Sequence, residues 1–221
     1  MTKADVLIAP SSPSALSEVA ANVTTSEKVV AYELGWRRSL TPRIDVDLAG
    51  YHNDYTDLLI HEPMYVDDVP VALVTVPIGS GHSTGAEAAL NAKMTDRWTL
   101  KFAGDLLDLK IKTGLPTGVL DPFVDQGLSP RSQLSVRSWF DLTPDIDVDL
   151  WLRHVSSLGR GETPAYTNLD LRVAWRLTTR LEVTARGENL LGPERTEMAP
   201  VGGAAPTLVQ RRAELGLAAR F

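Results

Sequence analysis

Residues 165–192 read AYTNLDLRVAWRLTTRLEVTARGENLLG, and the fold turns on how they alternate. Leu169, Leu171, Val173, Trp175 and Leu177 interleave with Asp170, Arg172, Ala174 and Arg176. A period of two is the signature of a strand with one apolar and one polar face. After Thr178 and Thr179 it resumes, with Leu181, Val183 and Ala185 against Glu182, Thr184, Arg186 and Glu188, so the stretch predicts an antiparallel hairpin. One face of that hairpin is charged, as a strand between lipid and an aqueous lumen requires.

The same device recurs on both sides. Val30, Tyr32, Leu34 and Trp36 alternate with Glu33, Gly35 and Arg37; Ile44, Val46 and Leu48 alternate with Asp45, Asp47 and Ala49 and run on into Tyr51 and Tyr55. A solvent-facing loop is expected from His61 to Pro70, which holds two prolines and the pair Asp67 and Asp68. Val71 to Met94 predicts a strand interrupted by a flexible GSGHSTG segment, and Trp98 to Asp105 predicts the next strand. A long loop from Lys112 to Arg131, strands over Gln133 to Leu142 and Ile146 to Arg153, a long loop from Gly192 to Gln210, and a final strand in RRAELGLAARF complete the pattern. The expected fold is all-β, an antiparallel up-and-down meander of about nine strands forming part of a transmembrane β-barrel. Leu40-Thr41, Met94-Thr95, Leu142-Thr143 and Leu177-Thr178 each open a tight turn, and long loops are expected between these turns. Residues 1–27, rich in Ser, Ala and Pro, predict a loop or tether, and 28–221 a single barrel segment. Asn22-Val23-Thr24 fits a glycosylation sequon but has meaning only in a eukaryotic secretory setting.

Composition narrows the function. With 22 basic against 28 acidic residues and a net charge of -6, no nucleic-acid partner is expected. Zero cysteines exclude disulfides and thiolate metal sites. No apolar run approaches the roughly 18 residues of a membrane helix, and Met1 to Leu16 lacks the pattern of a signal peptide. The four histidines His52, His61, His82 and His154 show no ligand spacing, so no metal is expected. GSGHSTG lacks the Lys-Ser/Thr ending of a phosphate loop, and Ser80, His82 and Asp96 lack the elbow of a hydrolase triad. No catalytic residue, cofactor or enzymatic activity is expected.

The charges have a simpler reading. Glu33, Arg37, Asp47, Glu87, Lys93, Lys101, Arg137, Asp149, Arg153, Asp170, Arg172, Glu182, Arg186 and Glu214 share the polar parity of their strands, as a solvated barrel wall would have them. Tyr32, Trp36, Trp98, Phe140 and Trp175 share the apolar parity, as an interfacial girdle would. Pattern alone assigns no ligand-binding residue, and the loops are where such residues are expected. A soluble all-β binding module, with one face buried against a second sheet, would also alternate.

Four stretches carry a family resemblance: EKVVAYELGWR (Glu27 to Arg37), IDVDLAGYHNDYTDLL (Ile44 to Leu59), STGAEAALNAKMTDRWTL (Ser83 to Leu100) and the 165–192 hairpin with its GENLLG. Together with the terminal Phe221 they resemble the C-terminal barrel of TonB-dependent outer-membrane receptors. The resemblance implies residence in the cell outer membrane and uptake of a scarce ligand such as a ferric siderophore or cobalamin. It also implies outer-membrane lipid, a plug domain and further barrel strands as partners, the TonB energy-coupling complex engaged through an N-terminal part, and an assembly machinery that reads Phe221. Such receptors carry a signal peptide, a coupling segment, a plug and a barrel of about 22 strands. None of the first three is recognisable here, so the chain is expected to be a segment that does not transport alone.

Overall fold

The computed structural model describes residues 17–19, 26–67, 69–116, 129–158, 163–192, 194–196 and 208–221. The described elements are strands: β1 (Ser17–Val19), β2 (Lys28–Thr41), β3 (Ile44–Val66), β4 (Val69–Thr95), β5 (Trp98–Lys112), β6 (Ser132–Thr143), β7 (Ile146–Val155), β8 (Tyr166–Arg176), β9 (Leu181–Glu188), β10 (Arg195–Thr196), β11 (Leu208–Val209) and β12 (Arg212–Ala219). Nine of them pair in the order β12-β9-β8-β7-β6-β5-β4-β3-β2, an antiparallel meander, with β10 and β11 forming a separate ribbon. Short β1 pairs in parallel with β4, Glu18 opposite Leu73, inside the segment read as a tether. The Asn22 sequon lies outside the described residues, as do parts of the long loops.

By contact, the chain divides into two compact units, one of Met1–Tyr32, Tyr51–Thr84 and Leu109–Gln126, the other of Glu33–Gly50, Gly85–Asp108 and Gly127–Phe221.

Two expectations fail, both in the first unit. The predicted loop from His61 to Pro70 is strand: β3 continues to Val66, β4 starts at Val69, and Asp67 turns the chain with φ of 50°. Asp tolerates that left-handed conformation better than most residues, and Pro63 survives in the strand because not every strand N–H must serve a ladder. The connections therefore do not alternate strictly between tight turns and long loops. The GSGHSTG segment is also continuous strand, within β4. Its glycines supply clearance, since a Cβ on Gly81 would lie 2.6 Å from the Lys110 carbonyl oxygen and one on Gly79 would lie 2.7 Å from the Ile60 side chain.

Each Thr-opened turn is built alike. The Oγ1 of Thr41, Thr95, Thr143 and Thr178 accepts a hydrogen bond from the backbone N–H two residues on, at 3.2 Å in each case. A hydroxyl so placed stands in for a backbone acceptor and closes the turn. The carbonyls of Arg43, Arg97 and Asp145 then accept from Lys93, Asp141 and Arg176 on the strand that flanks each hairpin, and that of Arg180 accepts from Arg220, just past the end of β12.

Burial runs opposite to that of a soluble sandwich. Among the described residues only six hydrophobic side chains are buried, three of them alanines. Leu134, Leu142, Leu150, Leu152 and Trp175 stay exposed on the apolar parity. By contrast, Asp149 and Asp170 on the polar parity keep only 19% and 20% of their side-chain surface. Among the described residues no second sheet covers this outward apolar face.

Candidate functional site

The polar face of β5 to β9 and β12 is the best-formed candidate surface. Directly opposed residues of an antiparallel pair share a face. The register sets Lys101 opposite Arg137, Arg137 opposite Trp151, and Trp151 opposite Asp170. One step along, Thr99, Trp139, Asp149, Arg172, Arg186 and Glu214 form the next row. The apolar parity is equally continuous, with Phe102, Val136, Leu152 and Leu169 in one row and Val148, Val173, Ala185 and Leu215 in another.

Ion pairs cross the polar face. Arg172 donates to Asp149 at 3.3 Å and approaches Glu182 at 3.8 Å; Arg153 pairs with Asp170; Arg176 donates to Asp147 at 2.7 Å. Nearer the start, Arg37 donates to Asp47 at 2.6 Å and Ser39 to Asp45 at 2.6 Å. Partly exposed pairs of this kind contribute about 0–1 kcal/mol each, so they fix side-chain positions more than they stabilise the sheet.

Sequence reading missed an aromatic element on the same face. Arg137 lies 4.5 Å from the Trp139 ring centre and 5.5 Å from that of Trp151, Arg153 lies 4.0 Å from Trp151, and the Lys101 ammonium lies 5.1 Å from Trp139. Cations over indole faces are worth about 0.5–2 kcal/mol according to exposure. The signal was present as Arg137-x-Trp139 and Trp151-x-Arg153, tryptophans on the charged parity two residues from an arginine. A shallow depression of about 200 Å³ opens beside Arg137 and Trp151.

At the end of β9, Asn189 anchors the returning chain. It is 2% exposed with φ of 55°, its N–H donates to Asp170 at 2.9 Å, and its side-chain amide donates to the Val209 carbonyl at 3.3 Å. Arg195 donates to the Asn189 side-chain oxygen and stacks 4.0 Å from the Tyr166 ring centre.

The histidines do not assemble into a metal site, and among the described residues no group of three or more His, Cys, Asp or Glu could hold an ion. His52 and His82 do approach, their ring centres 6.0 Å apart, but Thr84 takes the His52 Nδ1 at 2.7 Å and Asp54 its Nε2 at 3.3 Å. Ser80 and His82 share β4, whereas Asp96 sits in the turn beyond that strand and pairs with Arg43 and Lys93. Of the expected aromatic girdle, Trp98 meets Phe140 edge-to-face at 6.2 Å and Trp175 stands opposite Ile146, all beside tight turns.

Comparison with known proteins matches this architecture. The family model "TonB dependent receptor-like, beta-barrel" matches residues 9–190. No curated protein matches. Among solved structures, the ferric-catecholate import receptor Fiu of E. coli K12 is 19% identical over 87% of this chain and 27% of its own, with a TM-score of 0.65. The siderophore receptor PiuA of Acinetobacter baumannii is 15% identical over 86% and 28%, with a TM-score of 0.67. The pyoverdine receptor FpvA of Pseudomonas aeruginosa PAO1 is 13% identical over 88% and 30%, with a TM-score of 0.68. The chain thus spans under a third of the length of each of these receptors. With its meander, its two-faced strands and a family model matching most of its length, this chain belongs to the TonB-dependent receptor β-barrel family.

Proposed function

We propose that the chain is the barrel-wall segment of an outer-membrane receptor that takes up a scarce iron chelate, a ferric siderophore, by TonB-dependent transport. The carrying observation is the inverted burial, with leucines and tryptophans outward on one parity and half-buried ion pairs on the other. Lipid suits the first face and an aqueous, plug-filled lumen the second. The two margins of the sheet support the segment reading. All residues of β2 and β12 are exposed, and after nine antiparallel strands these two run in the same direction. Closing β2 on β12 would therefore need a parallel pair, whereas an odd number of further strands restores antiparallel pairing throughout. Strands β3 and β4, at 23 and 27 residues, exceed the roughly 9–11 residues that span a bilayer, so part of each stands outside it.

In this reading the intact receptor supplies the other strands, the plug and the contact with TonB, and Phe221 is presented to the assembly machinery. The test is to express the complete reading frame that contains this chain and fractionate the cells. Outer-membrane partition, with labelled ferric siderophore uptake that is lost on deletion of the energy-coupling protein, is the expected result. A monodisperse soluble monomer obtained without detergent would refute the membrane reading, and membrane partition without iron uptake would refute the ligand class.

A further inference from the structure

Most cations of the polar face have an acid. Among the described residues Lys101, Arg137 and Arg186 do not, and the first two form one directly opposed pair. Lys101 and Arg137 stand directly opposite each other across β5 and β6, and among the described residues no acid lies within ion-pair distance of either. Like charges in directly opposed positions destabilise a sheet unless something neutralises them. The acids nearest in register are committed: Asp149, opposite Trp139, pairs with Arg172, and Asp170, opposite Trp151, pairs with Arg153 and takes the Asn189 N–H. The Arg137 Nε is buried and has no hydrogen-bond partner. The Trp139 and Trp151 rings attract the guanidinium charge but leave its in-plane N–H directions unfilled.

We infer that Lys101 and Arg137 form a carboxylate-binding site on the polar wall. An arginine presents its two terminal Nη–H groups as a planar fork that matches the two oxygens of a carboxylate, and a facing ammonium adds a point charge to the same group. The tryptophans hold both cations in place before anything binds, which lowers the ordering cost of capture. Asp149 and Asp170 nearby disfavour a multiply charged anion, so a monocarboxylate fits better than a phosphate. Such a carboxylate belongs either to an acidic residue of another polypeptide segment or to a small free acid. The site needs only this wall of the sheet and stands or falls apart from the iron-uptake reading.

The test follows tryptophan fluorescence of the full chain in detergent micelles, titrated at constant ionic strength against chloride. Two probes separate the sources: acetyl-Gly-Asp-Gly-amide, a side-chain carboxylate, and N-acetylglycine, a free one. Wild type should show a saturable change with at least one of them, and tighter binding of either identifies the source while upholding the site. Arg137→Gln should weaken half-saturation by about tenfold or more, as expected for loss of a charge-assisted bidentate contact. Lys101→Met should weaken it by roughly threefold to tenfold through loss of the point charge. Arg43→Gln, a cation in a distant turn, should change nothing. Absence of a saturable signal in wild type, or equal responses in wild type and Lys101→Met, overturns the inference. Neither result depends on Arg137→Gln remaining folded.

Discussion

The middle of the sheet and its two margins carry the same alternating sequence yet meet different surroundings. In β7 every residue pairs on both sides, as do Leu171 to Trp175 of β8; Asp149 and Asp170 keep a fifth of their side-chain surface, and Ala174 is buried. In β2 and β12 both parities are exposed, with Leu34 and Leu215 each at 82%. Alternation therefore records which face a residue takes, while burial depends on whether a neighbouring strand is present. Among the described residues, each margin strand has one paired edge and one edge left open.

Four comparisons of variants probe this contrast, from the largest expected effect down. Leu171→Arg places a charge on the outward face in mid-sheet and should cost roughly 2–4 kcal/mol near the bilayer midplane, read by denaturant titration of vesicle-folded protein. The matching change Leu217→Arg at the margin should approach that cost only when further strands fix β12 in the bilayer; equal costs in the chain alone would erase the distinction. Asn189→Ala removes a left-handed residue's side-chain bonds to Val209 and Arg195, and should cost about 2–3 kcal/mol, whereas Asn189→Gly should recover part of it through backbone tolerance. Identical melting of the two variants would show that φ at this position is unimportant.

Arg172→Leu strips Asp149 and Glu182 of their shared cation and should cost about 1 kcal/mol, less than Leu171→Arg one residue away. A double substitution with Asp149→Leu should recover most of that loss, and failure to recover it would mean that Arg172 acts through something other than this pair. Smallest is Thr143→Val, which deletes one exposed turn hydrogen bond and should cost about 0.5 kcal/mol. Its effect should match that of Thr95→Val, because the two turns share their geometry.

Much of this was legible in the residues. The hairpin of Tyr166 to Glu188 and the four turns opened by Thr41, Thr95, Thr143 and Thr178 appear where the alternation and the Leu-Thr or Met-Thr pairs put them. The errors came from residues with two uses. Pro63 and Asp67 resemble loop residues, yet Pro63 lies within β3 and Asp67 directly follows that strand. Gly79 and Gly81 resemble a flexible linker, yet they make room for Ile60 and the Lys110 carbonyl, partners that lie far off in sequence. Pairing of Ser17–Val19 with β4 was beyond reach because three residues carry no period. The Lys101 and Arg137 contact was half visible: parity placed both on one face, but only register made them neighbours.

The turn carbonyls of Arg43, Arg97 and Asp145, each bonded to the strand flanking its hairpin, and that of Arg180, bonded just past the end of β12, also bear on how the sheet comes apart. Every hairpin is latched to the next by its own turn, so coupling passes between nearest neighbours. Stability then behaves as a sum of hairpin and interface contributions, as in a linear array. Opening should begin at a margin and move inward, and amide exchange should slow stepwise from β12 through β9 and β8 to β7. The outermost latch is the Arg220 N–H on the Arg180 carbonyl, one residue before Phe221, and its release is the first step of that sequence on the β12 side.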